Sequence, residues 1–194
     1  MLVDPEIARH FGAPIPVTPS IGMTFEPELW NSNRLLEKTN CYAYALDNPL
    51  VGMGQLGGLR EKVPAWIATH TLRDIPYVRS LLEQDGLFPL TSDQLNPSEH
   101  HIIAVFTGIR YEFGEPWFDY HFMRKDCDQS WSHKPGTKQI ERIEIEPGSS
   151  EQEQLSAVYS QTKDEHYFIG FYELPQPGVL ATRDMRVGNL SWGC

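Results

Sequence analysis

The sequence predicts an α+β fold, with N-terminal helices packed on a mostly antiparallel β-sheet. Three observations carry the prediction. Helical signals, caps and 3.6-residue spacing fall before residue 90. From residue 101 onward the chain is dominated by β-rich segments separated by short turn signals. The two kinds follow one another instead of alternating, which is not the pattern of βαβ units. The chain has 194 residues, the size of one domain with a core of its own.

Residues 1–30 are read as a proline-rich extended arm, since "GAPIPVTPSIGMTFEPELW" carries Pro14, Pro16, Pro19 and Pro27. "TNCYAYALDNP" follows. Thr39 or Asn40 can cap a helix, Asn48-Pro49 ends it, and Cys41 falls in its first turn. The glycine-rich stretch 50–64 reads as a loop. In "TLRDIPYVRSLLEQDG", Ile75, Val78, Leu81 and Leu82 recur at helical spacing, Pro76 suits the first turn and Gly86 stops it.

"HIIAVFTGIRY" is a continuous apolar, β-branched run and reads as a central strand. "WFDYHFMRK" and "QSWSHKPG" read as two strands about the turn "DCD", and "KQIERIEIEP" alternates like another. "SSEQEQLSAVYSQTK" is a polar helix candidate, and "EHYFIGFYELP" a strong strand. No internal repeat or low-complexity segment interrupts the order.

Charge and composition narrow the function classes. The formal net charge is −10, from 26 acidic and 16 basic residues, so a phosphate backbone would be repelled and nucleic acid is not an expected partner. No apolar run approaches the ~20 residues that span a bilayer, and no membrane partner is expected. "MLVDPEIARHFG" has no basic n-region before an apolar stretch, so the expected location is the cytoplasm, or outside by a route without a Sec signal. Three cysteines, Cys41, Cys127 and Cys194, are too few for a disulfide framework, and no zinc-type Cys/His spacing occurs.

The chemistry concentrates in two places. His121 and His133 lie on the predicted hairpin. A three-residue loop 126–128 would pair Lys125 with Gln129 and set His121 directly opposite His133, with Cβ atoms roughly 4.5–5.5 Å apart. Asp119, Met123 and Trp131 would share their face; Tyr120, Phe122, Arg124, Ser130 and Ser132 would take the other. An even loop would put the histidines on opposite faces. Three readings stay open: a surface pair, a metal site, or a base with its orienter.

Cys41 is the second place. A thiol in a first helical turn feels the positive end of the dipole, which favours thiolate, and the adjacent N–H groups can hold an oxyanion. The plainer reading is a small buried hydrophobe. Elsewhere, His100-His101 reads as a surface pair, Cys127 as exposed, and Gly136 as a turn residue with positive φ. His10 and His70 have no partner by spacing, and His166 opens a strand.

A cysteine on a helix N-terminus, followed by a hairpin with His on one strand and a polar orienter on the next, resembles the papain-like order. Cys41, His121 and His133 in particular resemble the NlpC/P60 branch, through "NCYAYAL", "DYHFMRKD" and "WSHKPG". The chain departs from that branch in reading Asn40-Cys41-Tyr42-Ala43 where an Asp-Cys-Ser-Gly-like start is usual. The resemblance implies one papain-like catalytic domain over 1–194. Cys41 would be the nucleophile, His121 the general base and then acid, and His133 the residue that holds its ring. The Cys41 N–H would supply half an oxyanion hole, with Asn40, Tyr42 or Asn33 supplying the rest. Trp131 and Asp119 would wall the site.

The activity so implied is a cysteine peptidase or amidase working through a thioester, on a peptidoglycan peptide or as an effector on a target protein. The partners would be a peptide or protein substrate and an inhibitor or immunity protein. No cofactor or metal is implied; a zinc site from Cys41, His121 and His133 ranks last. Acyl transfer, transglutamination or deamidation on the same fold is one alternative. A non-catalytic binding module with Cys41 in the core is the other.

Overall fold

The computed structural model describes residues 15–16, 23–54, 56–57, 74–97, 100–174 and 179–180. His10, His70, Cys194 and most of the expected N-terminal arm lie outside them. Among the described residues the α-helices are α1 (Pro27–Trp30), α2 (Cys41–Ala45), α3 (Ile75–Gln84) and α4 (Glu151–Ser160). The strands are β1 (Ile15–Pro16), β2 (Phe88–Leu90), β3 (Ile102–Glu112), β4 (Glu115–Lys125), β5 (Trp131–His133), β6 (Glu141–Ile143), β7 (Glu165–Glu173) and β8 (Val179–Leu180).

The architecture is α+β. Six strands form one sheet in the order β2-β7-β3-β4-β5-β6, and β1 pairs with β8. Each of these pairings is antiparallel. The expected helices 39–48 and 75–86 and the strands after 101 form where local signals place them. Asn40 caps α2, and Asp74 caps α3 with its side chain on the Tyr77 N–H. Ser150 and Glu153 make a reciprocal capping box on α4. Two expectations fail locally. The arm does not stay extended to residue 30, because Pro27 starts α1 at a position where its missing N–H is not needed. Phe88–Leu90 forms an unforeseen edge strand on β7.

The sheet is covered on both faces. On one, Cys41, Tyr42 and Ala43 of α2 and Val78, Leu81 and Leu82 of α3 pack with Ile103, Val105 and Phe122. On the other, Leu155 and Tyr159 of α4 pack with Ala104, Phe106, Met123 and Trp131. Residues 102 to 109 of β3 are buried without interruption, as a strand with two covered faces requires.

The hairpin register differs from expectation by two residues. Lys125 pairs with Trp131 and Met123 with His133, so the loop is 126–130 and not 126–128. The longer loop closes on itself: Asp126 N–H donates to Ser130 O at 2.8 Å, and Gln129 takes φ 71°. Cys127 N–H also donates to Met23 O at 2.7 Å, which ties the loop to the N-terminal segment. A shift of two preserves the parity of a strand, so both histidines still face the same way.

Candidate active site

Helix α2 starts where its sequence says it should. The Asn40 side chain accepts from Ala43 N–H at 3.1 Å and donates through Nδ2 to Gly54 O at 2.7 Å. Cys41 is therefore the first helical residue, as expected, and it is fully buried. Cys127 is a free, exposed cysteine, as expected.

The histidines do meet. His121 Nε2 lies 2.7 Å from His133 Nδ1, one nitrogen donating to the other. Their rings meet edge to face at 5.0 Å. They are diagonal neighbours and not directly opposite, because His133 pairs with Met123. Burial holds both imidazoles below their usual pKa; for His121 the neighbouring His133 and Lys163 add to the effect, while Glu141 pulls His133 the other way. His133 Nε2 stands 3.6 Å from Glu141 Oε2. A neutral base with a neutral orienter, backed by a carboxylate, is what this arrangement offers chemically.

Cys41 is not part of it. Phe122 faces α2 and stacks on Tyr42, with ring centroids 4.4 Å apart. Adjacent residues on a strand point to opposite faces. His121 accordingly points at α4, where its ring lies parallel to Tyr159 at 5.6 Å. β4 is an interior strand, flanked by β3 and β5, so the sheet itself stands between the cysteine and the imidazole. The structure brings His121 and His133 together and leaves Cys41 on the other side.

The remaining expected residues have other employment. Asn40 is spent on the cap and on Gly54. Tyr42 donates its hydroxyl to Asp85 at 2.6 Å. Asn33 is exposed in the turn before α2. Trp131 is buried against Met123 and donates from Nε1 to Glu151, so it packs the core instead of walling a site. Asp119 shares the histidine face, paired with Lys163; burial pushes its carboxyl up and that cation opposes the push. His101 is no surface residue. It is buried, its Nε2 meets Ala45 O at 2.6 Å, and burial pushes it down to about 4. His100 pairs with Glu173 at 2.6 Å. Gly136 has φ 58°, as expected.

Sequence reasoning missed Tyr159, Lys163 and Glu141. The signal for Tyr159 was present: Leu155, Val158 and Tyr159 share one helical stripe of the segment taken as polar. Tyr159 and Lys163 fit over His121 because Gly108 leaves room. A Cβ there would lie 2.8 Å from Tyr159 Oη and 2.9 Å from Lys163 Cγ.

Each polar side chain of "WSHK" has a partner inside the fold. Trp131 holds Glu151, Ser132 Oγ meets Tyr44 Oη at 2.7 Å, and His133 meets His121. Lys134 donates to the carbonyls of Leu36, Gly136 and Lys138 at 2.7, 2.9 and 2.9 Å. Among the described residues, no group of three or more His, Cys, Asp or Glu is placed to hold a metal ion.

Comparison with known proteins gives little to set beside this geometry. No protein-family profile matches the chain. No solved structure matches it. It is similar to insoluble matrix shell protein 1 of Ruditapes philippinarum, 30% identical over 117 residues. That stretch is 58% of this chain and 66% of the relative, just under two thirds of the relative's length.

Proposed function

We propose that this domain is a non-catalytic binding or scaffolding module. Cys41 serves as a small buried core residue, and the two histidines form a buried polar pair that fixes the pairing of β4 with β5. One observation carries this reading: Cys41 and His121 belong to opposite faces of an interior strand. A buried polar pair that is satisfied only in one register is a recognised use of such groups. The name of the relative, insoluble matrix shell protein 1, suits a structural role.

The 2.7 Å contact between His121 and His133 favours a second reading. It is the cysteine hydrolase, peptidase or amidase, with Cys41, His121 and His133 in the roles given by the papain-like resemblance. That reading needs the sulfur brought to the imidazole from across the sheet.

Iodoacetamide labelling of the native chain from pH 4 to 9, with and without mild reductant, separates the two. Wild type and His121→Ala are compared, with readout by peptide mass. The module reading expects Cys127 to label readily, and Cys41 to resist in both proteins. Fast Cys41 labelling in acid, lost in His121→Ala, would overturn it and establish the Cys–His pair that the hydrolase requires.

A further inference from the structure

One end of the sheet carries exposed aromatic rings. Phe113 is 105% exposed and Trp117 53% exposed; Tyr111 and Tyr167, on the face of the sheet opposite Trp117, are exposed as well. Phe113 and Gly114 form the β3–β4 turn, with φ 53° and 85°. Two residues of positive φ joining paired strands call for Asn-Gly or Gly-Gly, and a bulky side chain there is an outlier. Neither backbone geometry nor core packing explains Phe113. A Phe held in a disfavoured conformation and wholly in water points to contact with something outside the chain.

The charges around the rings say what kind of partner fits. Glu112, Glu115, Asp164 and Glu165 stand at this end, against Arg110, which pairs with Glu112, and Lys163, which pairs with Asp119. Asp164 Oδ2 accepts the Tyr111 N–H at 2.8 Å, and Glu165 accepts the hydroxyls of Tyr111 and Tyr167, both at 3.1 Å. Carboxylates are thus interleaved with aromatic rings. Phosphate-bearing surfaces are repelled there, whereas guanidinium and ammonium groups gain both the carboxylates and the ring faces.

We infer that the β3–β4 hairpin tip is a docking site for a cationic, Arg/Lys-bearing peptide segment of a partner protein. The hairpin reaches past the core as a finger, with Arg110 and Trp117 on one face and Tyr111 on the other, so a segment can lie along either side. The inference concerns the surface and stands apart from the reading of Cys41. Its failure would leave that reading intact, and the reverse holds too.

Calorimetric titration of the full chain with a short Arg-Gly repeat peptide tests it, beside a Glu-Gly peptide and phosphatidylcholine vesicles. The Arg peptide is expected to bind and the other two not. The double variant Phe113→Asn, Trp117→Ala is expected to bind about tenfold more weakly, the loss of two exposed cation–π contacts. Phe113→Asn suits the turn better than Phe, so a thermal melt will show that the weaker binding is not unfolding. No binding of the Arg peptide overturns the proposal. So does equal binding by the double variant, which would reduce the effect to general acidity. Binding of the vesicles in place of the peptide overturns it as well.

Discussion

His121 and Phe122 are neighbours on β4 and serve opposite faces of the sheet, His121 against Tyr159 and Phe122 against Tyr42. The histidine pair therefore belongs to the layer between the sheet and α4. Its surroundings there are His133, Tyr159, the Lys163–Asp119 pair and Glu141.

Acid should destabilise the domain through its buried imidazoles. Burial holds His121 and His133 below the usual pKa and pushes His101 down to about 4. Below about pH 6.5 the unfolded chain takes up protons that the folded chain refuses, so stability falls as pH falls through that window. Each imidazole withdraws up to about 1.4 kcal/mol per pH unit. Burial also raises Asp47, Asp119 and Asp126, which pull the other way at lower pH. Urea midpoints from pH 7.5 to 5 should drop in wild type and drop less steeply in His133→Gln. Parallel pH profiles would show that the pair does not titrate with folding.

Arg124 is fully buried and holds two carboxylates and two carbonyls: Asp47 at 2.8 Å, Asp126 at 3.2 Å, Thr24 O at 2.6 Å and Tyr44 O at 3.2 Å. Arg124→Met leaves those carboxylates without their cation. The expected loss in chemical denaturation is about 3–5 kcal/mol. Arg124→Lys should recover only part of it, because an ammonium cannot reproduce the planar fork. A loss below ~1 kcal/mol would mean the charges neutralise on their own.

Lys134 works as a bolt between the turn after β5 and the segment before α2. Its ammonium donates to three carbonyls and is buried, although burial pushes it down to about 8. Lys134→Met should cost about 2–4 kcal/mol, since the carbonyls lose their donor without gaining water. Hydrogen exchange at the Lys138 N–H, which donates to Pro135 O at 3.0 Å, should quicken more than exchange in β3. Uniform quickening would instead indicate global destabilisation alone.

Gly108 is kept small by what lies over it. In Gly108→Ala the new Cβ would also approach Glu165 O to 3.1 Å, besides its contacts with Tyr159 and Lys163. Overpacking of this kind costs about 1–3 kcal/mol. Because Tyr159 stacks on His121, the imidazole resonances of His121 should move in the variant. A variant as stable as wild type with unmoved histidine signals would show that α4 shifts freely.

Local physics is what the sequence determined by itself. Asn40 caps the helix of Cys41 because a side-chain amide can reach the N–H three residues on. The strands from Ile102 to Glu173 declared themselves by composition and turn punctuation. The shared face of His121 and His133 followed from the two-residue period of a strand, and it survived a register slip of two. The slip could not be foreseen, because loop 126–130 is set by bonds to Ser130 O and Met23 O that no spacing reveals. Nor could the side on which α2 packs. An amphipathic strand tells a helix which face to cover, but β3 is buried on both faces from residue 102 to 109, with Thr107 its one polar side chain, and gives no preference. Only the tertiary packing of Tyr42 on Phe122 assigned Cys41 to one face, and the stack of Tyr159 on His121 assigned the imidazole to the other.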